Sequence, residues 1–345
     1  MKREKRPRVT LQQVAEHAGV SRATASLIVR NSPNISEKTR KKVLASMREL
    51  GYVYDRVAAN LRSQRSSTVG IIITDIANTF FSELLIGVHQ ALEKKGYTVL
   101  LGTTFDSDVK QDKLLSTMLE HRVGGVILCP VSGTSKETID RIKQLDIPIV
   151  HAVRELSDTN CDYVGVDYVS GAQMAVSHLI KKGHHRIAFL GGRSESSTWK
   201  HRMEGYSRAF QQAGLEIDPT LIIDSAPTRE GGMEAVEKVL QLDYPPTAIF
   251  SFSDLVAFGV MLGMRNSGLI PGKDIAVVGF DNIPESRLAN PPLTTVSSFA
   301  RQIGSNAAEL LHKRILEFDR ENERIILSPE LVVRESSLVT KEKSL

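Results

Sequence analysis

Seven short apolar runs recur between residues 69 and 280, each separated from the next by a helical or polar stretch. They are VGIIIT (69–74), YTVLLGTT (97–104), GGVILCP (124–130), IPIVHAV (147–153), RIAFLGG (186–192), TAIFSF (247–252) and IAVVGF (275–280). Runs of this length, rich in Val and Ile, fit strands buried on both faces, as in a parallel sheet covered by helices. Helical stretches between them end in glycine, at Gly96, Gly183 and Gly214, a helix-stop signal. This βαβ rhythm implies doubly wound parallel sheets. About 275 residues of it suggest two lobes.

The first 68 residues do not share the rhythm, and their charge sets them apart. They hold fifteen Lys and Arg against five Asp and Glu, whereas the remainder carries 29 basic against 35 acidic residues. A small basic head on a mildly acidic body suggests that the head meets a polyanion. A solvated basic tail accounts only for the first eight residues, MKREKRPR. No apolar h-region follows them and no run is long enough to span a membrane. The two cysteines, Cys129 and Cys161, lack metal-ligand spacing, so the expectation is a reducing, cytoplasmic location with no membrane partner.

Three short helices are predicted in the head. Thr10 caps the first, with Gln13 completing a capping box, and Leu11, Val14, Ala15 and Ala18 repeat at helical spacing. Gly19 is placed to end that helix in a left-handed turn. Ser21 caps a second helix over GVSRATASLIVRN, whose face of Ala25, Ile28 and Val29 is apolar. A third runs from Ser36 through Val43, Leu44, Met47 and Leu50 to Gly51. Two helices joined by a tight glycine turn, closed by a third, make a helix-turn-helix. The other face of the second helix carries Arg22, Ala23, Ser26, Leu27 and Arg30. Small residues let such a helix sit deep in a major groove, where Arg22 can present a fork to guanine or phosphate. Ser21, Thr24, Ser26 and Arg30 suit phosphate or base-edge hydrogen bonds. An ordinary amphipathic helix in a small bundle is the plainer alternative, and charge, turn and flanking segments weigh against it.

Asp55 can cap a short helix through Arg62, after which residues 63–68 read as a polar linker. Eight residues alone make a marginal helix. Leu61 either packs against the next domain or serves as a wedge between base steps from the minor groove. The expected divisions are a head over 1–54, a hinge helix and linker over 55–68, and a body over 69–345.

VTLQQVAEHAGVSRATASLIVRN and ISEKTRKKVLASMRELGYVYDRVAANLRS resemble the lactose-repressor (LacI/GalR-type) family of bacterial transcription regulators. The similarity extends through HRVGGVILCP, GHHRIAFLGG, RMEGYSRAFQQAGL, DIAVVGFDN and PPLTTVSS in the family's order. It implies a periplasmic-binding-protein-like pair of lobes with a small-molecule effector between them, a sugar or sugar derivative by analogy. It also implies operator DNA as partner, a homodimer, and no cofactor. It assigns base readout to Arg22, Ala23 and Leu27 and the minor-groove wedge to Leu61, and adds Thr10, Asn34, Arg56 and Ala58 as candidate DNA contacts. Many relatives have arginine at the position of Leu27; a leucine cannot donate to guanine but can touch a thymine methyl. Some relatives tetramerise through an appended leucine-heptad helix, whereas VVRESSLVTKEKSL has too few apolar positions for two heptads, so a dimer is expected.

Ligands of open α/β sheets bind outside the strand carboxyl ends. Thr74, Asp75, Asn78, Phe80 and Phe81 follow the first run, Ser196, Trp199 and Arg202 follow RIAFLGG, Ser253 and Asp254 follow TAIFSF, and Asp281 follows IAVVGF. A carboxylate and an arginine near aromatic rings would suit a polyhydroxylated ligand, and the resemblance gives Arg202 and Asp281 that role. Core packing is nearly as good an account of Phe80 and Phe81. The chain also departs from the family pattern. Relatives carry aspartate at Val153, asparagine at Ser253 and a ring at Pro227, and Trp199 could supply a ring from another direction. A vestigial site, or control by a protein partner, therefore stands beside the sugar reading. A sugar-binding transport component would need a signal peptide and no basic head. No constellation suggests an enzyme: His184 and His185 lie in a helix-to-strand connection, and the glycines of GGRSESS do not form a dinucleotide fingerprint.

Overall fold

The computed structural model of the chain describes residues 9–29, 32–53, 66–156 and 159–338. It divides into two compact units, Met1–Arg65 and Ser66–Leu345.

The first unit contains α1 (Leu11–His17), α2 (Arg22–Val29) and α3 (Glu37–Leu50). The capping box forms at both ends: the Thr10 amide donates to Gln13 Oε1 at 2.8 Å, and the Gln13 amide donates to Thr10 Oγ1 at 3.3 Å. Gly19 has φ +59°, and the Val20 amide donates back to the Ala15 carbonyl at 2.9 Å, so only Gly19 and Val20 separate the cap Ala18 of α1 from the cap Ser21 of α2. Ser21 and Ser36 cap α2 and α3 by accepting from the amides of Thr24 and Thr39. Val14, Ala15, Ala18, Ala25, Ile28 and Val43 form the core of the unit. Leu44 departs from expectation: it is 39% exposed. Its place in the core is taken by Ser46, one turn beyond Val43, whose hydroxyl is satisfied by the Lys42 carbonyl at 3.1 Å. The expected hinge helix, with Arg56, Ala58 and Leu61, and Arg30 at the end of the second helix lie outside the described residues.

In the second unit the strands are β1 (Thr68–Ile73), β2 (Thr98–Thr103), β3 (Val126–Leu128), β4 (Ile149–Ala152), β5 (Asp162–Val166), β6 (Ile187–Leu190), β7 (Ile222–Ile223), β8 (Ala248–Ser251), β9 (Ala276–Asp281), β10 (Thr294–Ser297), β11 (Arg324–Leu327) and β12 (Glu330–Val332). They form two six-stranded sheets, ordered β11-β5-β4-β3-β1-β2 and β12-β10-β9-β8-β6-β7. Every pairing is parallel except β10 with β12. The first lobe is covered by α4 (Thr79–Glu93), α5 (Asp108–Glu120), α6 (Lys136–Lys143) and α11 (Ala300–Leu316). The second carries α7 (Tyr168–Lys181), α8 (Ser197–Gln212), α9 (Arg229–Leu240) and α10 (Asp254–Asn266). The chain crosses between lobes after β5, after β10 and between β11 and β12, so neither lobe is contiguous in sequence. All seven apolar runs became strands. The sheets also use β5, β7, β10, β11 and β12, which carried no comparable run.

One core residue has a consequence for pH dependence. His151 in β4 is 2% exposed, and its Nε2 has no hydrogen-bond partner. Burial, followed by the nearby positive Lys143, holds its pKa down at about 4, against the weaker pull of Glu155. The unfolded chain protonates this imidazole near pH 6.5 and the folded one does not, so stability is lost as pH falls from 6.5 toward 4. At pH 5 the loss is about 2 kcal/mol. Urea unfolding at pH 7 and pH 5 should show His151→Asn shrinking the acid loss by about that amount. A pH dependence identical in both proteins would assign the acid sensitivity to other groups.

Candidate functional site

Strand carboxyl ends from both sheets converge on one cavity of about 230 Å³. Thr74 and Asp75 lie just beyond β1, Phe105 and Asp106 beyond β2, and Val153 and Arg154 beyond β4. The second lobe contributes Arg193 beyond β6, Ala226 to Thr228 beyond β7, Phe252 and Ser253 beyond β8, and Asp281 at the end of β9. Asn78, Phe80 and Phe81 enter from the first turn of α4, Tyr168 from α7, and Thr198 and Arg202 from α8.

Arg202 dominates the chemistry. It is 3% exposed, and its guanidinium carbon lies 4.0 Å from the ring centre of Phe280, 4.5 Å from Phe252 and 4.7 Å from Tyr168. Cation–π attraction offsets part of the cost of burying that charge. Nη1 donates to the Thr198 carbonyl at 3.2 Å, and Nε has no partner. Nη2 lies 3.6 Å from Asp281 Oδ1, too far for a hydrogen bond. Burial pulls the Arg202 pKa down, against the attraction of Asp281. Burial likewise pushes the Asp281 carboxyl well above the usual carboxylate range, against the attraction of Arg202. Arg202 and Asp281 thus line one cavity side by side, with no hydrogen bond between them.

Of the residues expected at the effector site, Thr74, Asp75, Asn78, Phe80, Phe81, Arg202, Ser253 and Asp281 line the cavity, as do Val153 and Pro227. Phe80 and Phe81 also pack edge to face at 5.1 Å within the core. Asn78 and Ser253 double as helix caps, accepting from the amides of Phe80 and Val256. Three expected residues are placed elsewhere. Ser196 is buried as the cap of α8, accepting from the Trp199 amide at 3.2 Å. Trp199 stacks on Phe189 with centroids 5.5 Å apart, because its apolar ring gains more from the core than from the cleft. Asp254 is fully buried, accepting from the hydroxyls of Thr295 and Ser286 and from the Ile283 amide. It ties the loop after β9 to β10. Phe105, Asp106, Arg154, Tyr168, Thr198 and Phe252 escaped sequence reasoning. Applying the strand-end rule to the second and fourth apolar runs would have found Phe105, Asp106 and Arg154.

On the first unit, Arg22, Ala23 and Leu27 lie exposed on the outward face of α2, with Leu27 at 42%, and Thr24 and Ser26 are half-buried beside them. Ser21 and Asn34 are exposed at the ends of the connecting turns, and the Thr10 hydroxyl is engaged in its cap.

Comparison with known proteins bears on both units. Residues 10–55 match the family "Bacterial regulatory proteins, lacI family". Residues 66–336 match "Periplasmic binding proteins and sugar binding domain of LacI family". Catabolite control protein A of Priestia megaterium is 38% identical over 88% of this chain and 92% of its own length. The HTH-type transcriptional repressor PurR of Photobacterium profundum is 33% identical over 95% and 98%. Among solved structures, the lac repressor dimer bound to operator and the anti-inducer ONPF superposes with a TM-score of 0.83 at 26% identity, covering 96% of this chain and all of that one. A complex of the transcriptional regulator CelR with cellobiose gives 0.73 at 31% identity, over 95% of this chain and all of that one. This chain belongs to the lacI family of bacterial regulatory proteins, as a DNA-binding transcriptional regulator with a periplasmic-binding-protein-type ligand-binding body.

Proposed function

We propose that the chain is a homodimeric repressor whose affinity for operator DNA is set by a polyhydroxylated small molecule, a sugar or sugar derivative, held in the cleft. Its functional divisions are a DNA-reading head over 1–54, a hinge over 55–68 and a ligand-binding, dimer-forming body over 69–345. The observation that carries the reading is the neighbouring pair of Arg202 donors and Asp281 acceptors, 3.6 Å apart and open to the cavity. A hydroxyl group both accepts and donates, so adjacent hydroxyls on one ligand satisfy both side chains at once. The exposed Phe105 ring, which also lines the cavity, offers a face for the apolar C–H side of a sugar. The solved relatives bound to cellobiose, and to operator as a dimer, support the same reading by analogy.

In the head, Arg22, Ala23 and Leu27 read bases, with Thr10, Ser21, Thr24, Ser26, Arg30 and Asn34 on phosphates or base edges. In the hinge, Leu61 enters the minor groove, with Arg56 and Ala58 as further DNA contacts. Two heads related by a two-fold axis read a near-palindromic site.

The test uses operator fragments selected from random DNA by the full chain. Fluorescence anisotropy is followed while pentoses, hexoses and disaccharides are added, and light scattering gives the mass without DNA. The expected result is a dimer mass and a saturable change of at least ten-fold in operator affinity with one sugar class. A monomeric or tetrameric mass would remove the dimer, and unchanged affinity across the panel would remove sugar control.

A further inference from the structure

The cleft holds a second arginine–aspartate pair, contributed by the other lobe. Arg154 lies beyond β4 and Asp106 beyond β2, and both line the cavity. Both side chains are largely buried, and they meet as a two-pronged pair, Nη1 on Oδ1 and Nη2 on Oδ2, the latter at 3.0 Å. Nη1 also reaches the Pro130 carbonyl at 3.4 Å. The backbone holding them is unusual on both sides. Phe105 and Asp106 have φ of +49° and +59°, and Val153 has φ +69°. The Arg154 amide donates to the Ala152 carbonyl at 2.7 Å, closing a three-residue turn of the rarer left-handed kind around a β-branched residue. Such conformations persist where the surrounding structure forces them, and they cluster at ligand clamps.

The geometry points to Arg154 and Asp106 as the first lobe's anchor for the ligand and as the element that selects a neutral polyhydroxylated ligand over its acidic counterparts. This rests on the reading of the cleft as a site for a polyhydroxylated effector. The guanidinium has five N–H donors, of which the carboxylate and Pro130 engage three, and the carboxylate keeps unused lone pairs. A ligand hydroxyl can use both. A carboxylate or phosphate at the same spot meets a guanidinium already neutralised, next to a negative charge that repels it. Since Arg202 and Asp281 belong to the second lobe, a ligand bonded to both pairs spans the cleft and ties its occupancy to the spacing of the lobes.

Calorimetric titration of the full chain with glucose, glucuronate, galactose and galacturonate tests this. The wild-type protein is expected to bind at least one neutral sugar ten-fold or more tighter than the matching acid. Asp106→Asn keeps the shape but leaves Arg154 uncompensated; it should weaken the neutral sugar at least five-fold and reverse the preference toward the acid. The uncharged Arg154→Met/Asp106→Leu double variant should weaken the neutral sugar without that reversal, which separates charge selection from a lost fold. Wild-type preference for an acid, an unchanged preference in Asp106→Asn, or silence toward all four probes overturns the inference. If another sugar still shifts operator affinity, sugar control stands without it; if none in the wider panel does, both fall.

Discussion

Removal of residues 1–65 is expected to abolish specific operator binding while leaving residues 66–345 able to unfold as one cooperative body. The boundary between the two compact units falls after residue 65 in the sequence, and the sheets and interleaved helices of the body begin only at Thr68. All of the basic excess lies in the part removed; what remains carries 29 Lys and Arg against 35 Asp and Glu and so has no electrostatic affinity for a polyanion of its own. The α2 face with Arg22, Ala23 and Leu27 goes with it. Specific binding in such proteins exceeds non-specific binding by about 10³-fold or more, and that whole factor should vanish. Anisotropy with selected and scrambled DNA at one salt concentration measures it. Retention of even a tenth of the specific affinity by the truncated chain would move the DNA-reading surface into the body.

The head was legible because its structure is local. A capping box, two serine caps and two glycines with positive φ lie within a few residues of the turns they make. The body's central strands were legible for the related reason that burial on both faces demands an unbroken apolar run. Burial is not the whole rule: β5 and β10 are buried without such a run, and the edge strand β2 has the run although Leu100 and Leu101 are exposed. β11 is half-exposed and pairs with β5 although about 160 residues separate the register partners Arg324 and Tyr163, and no local pattern announces that return to the first lobe. The site divides along the same line. Arg202 and Asp281 were named through family resemblance, whereas the Arg154–Asp106 pair couples side chains 48 positions apart, and each alone reads as an ordinary loop residue. Asp254 and Trp199 were misplaced for the opposite reason. Both lie close to strand ends in sequence, but the carboxylate had three buried donors to satisfy and the indole had Phe189 to stack on.

Arg202→Met should reduce effector affinity more than a hundred-fold. The guanidinium has only the Thr198 carbonyl as a hydrogen-bond partner within the protein, and its Nε is unpaired, so a bound polyol can take at least two of its remaining donors. Each charged hydrogen bond contributes about 1.5–3 kcal/mol, which for two amounts to about 3–6 kcal/mol. Methionine keeps the unbranched length that packs among Tyr168, Phe252 and Phe280, and it removes a charge that burial already disfavours. The fold should therefore tolerate the change, and thermal unfolding without ligand checks that it does. Loss of effector affinity in a variant that unfolds at or near the parent temperature assigns the loss to hydrogen bonding. Asp281→Asn gives the complementary reading. Its carboxyl is held well above the usual range by burial, so above pH 4 the unfolded chain gives up a proton that the folded one keeps. Stability without ligand then falls as pH rises toward the raised value. The amide has no such proton to lose, so Asp281→Asn should remove that fall while still weakening the ligand, since the amide NH2 only donates where the protonated carboxyl's hydroxyl both donates and accepts. Full effector affinity in both variants would place the ligand outside this cleft.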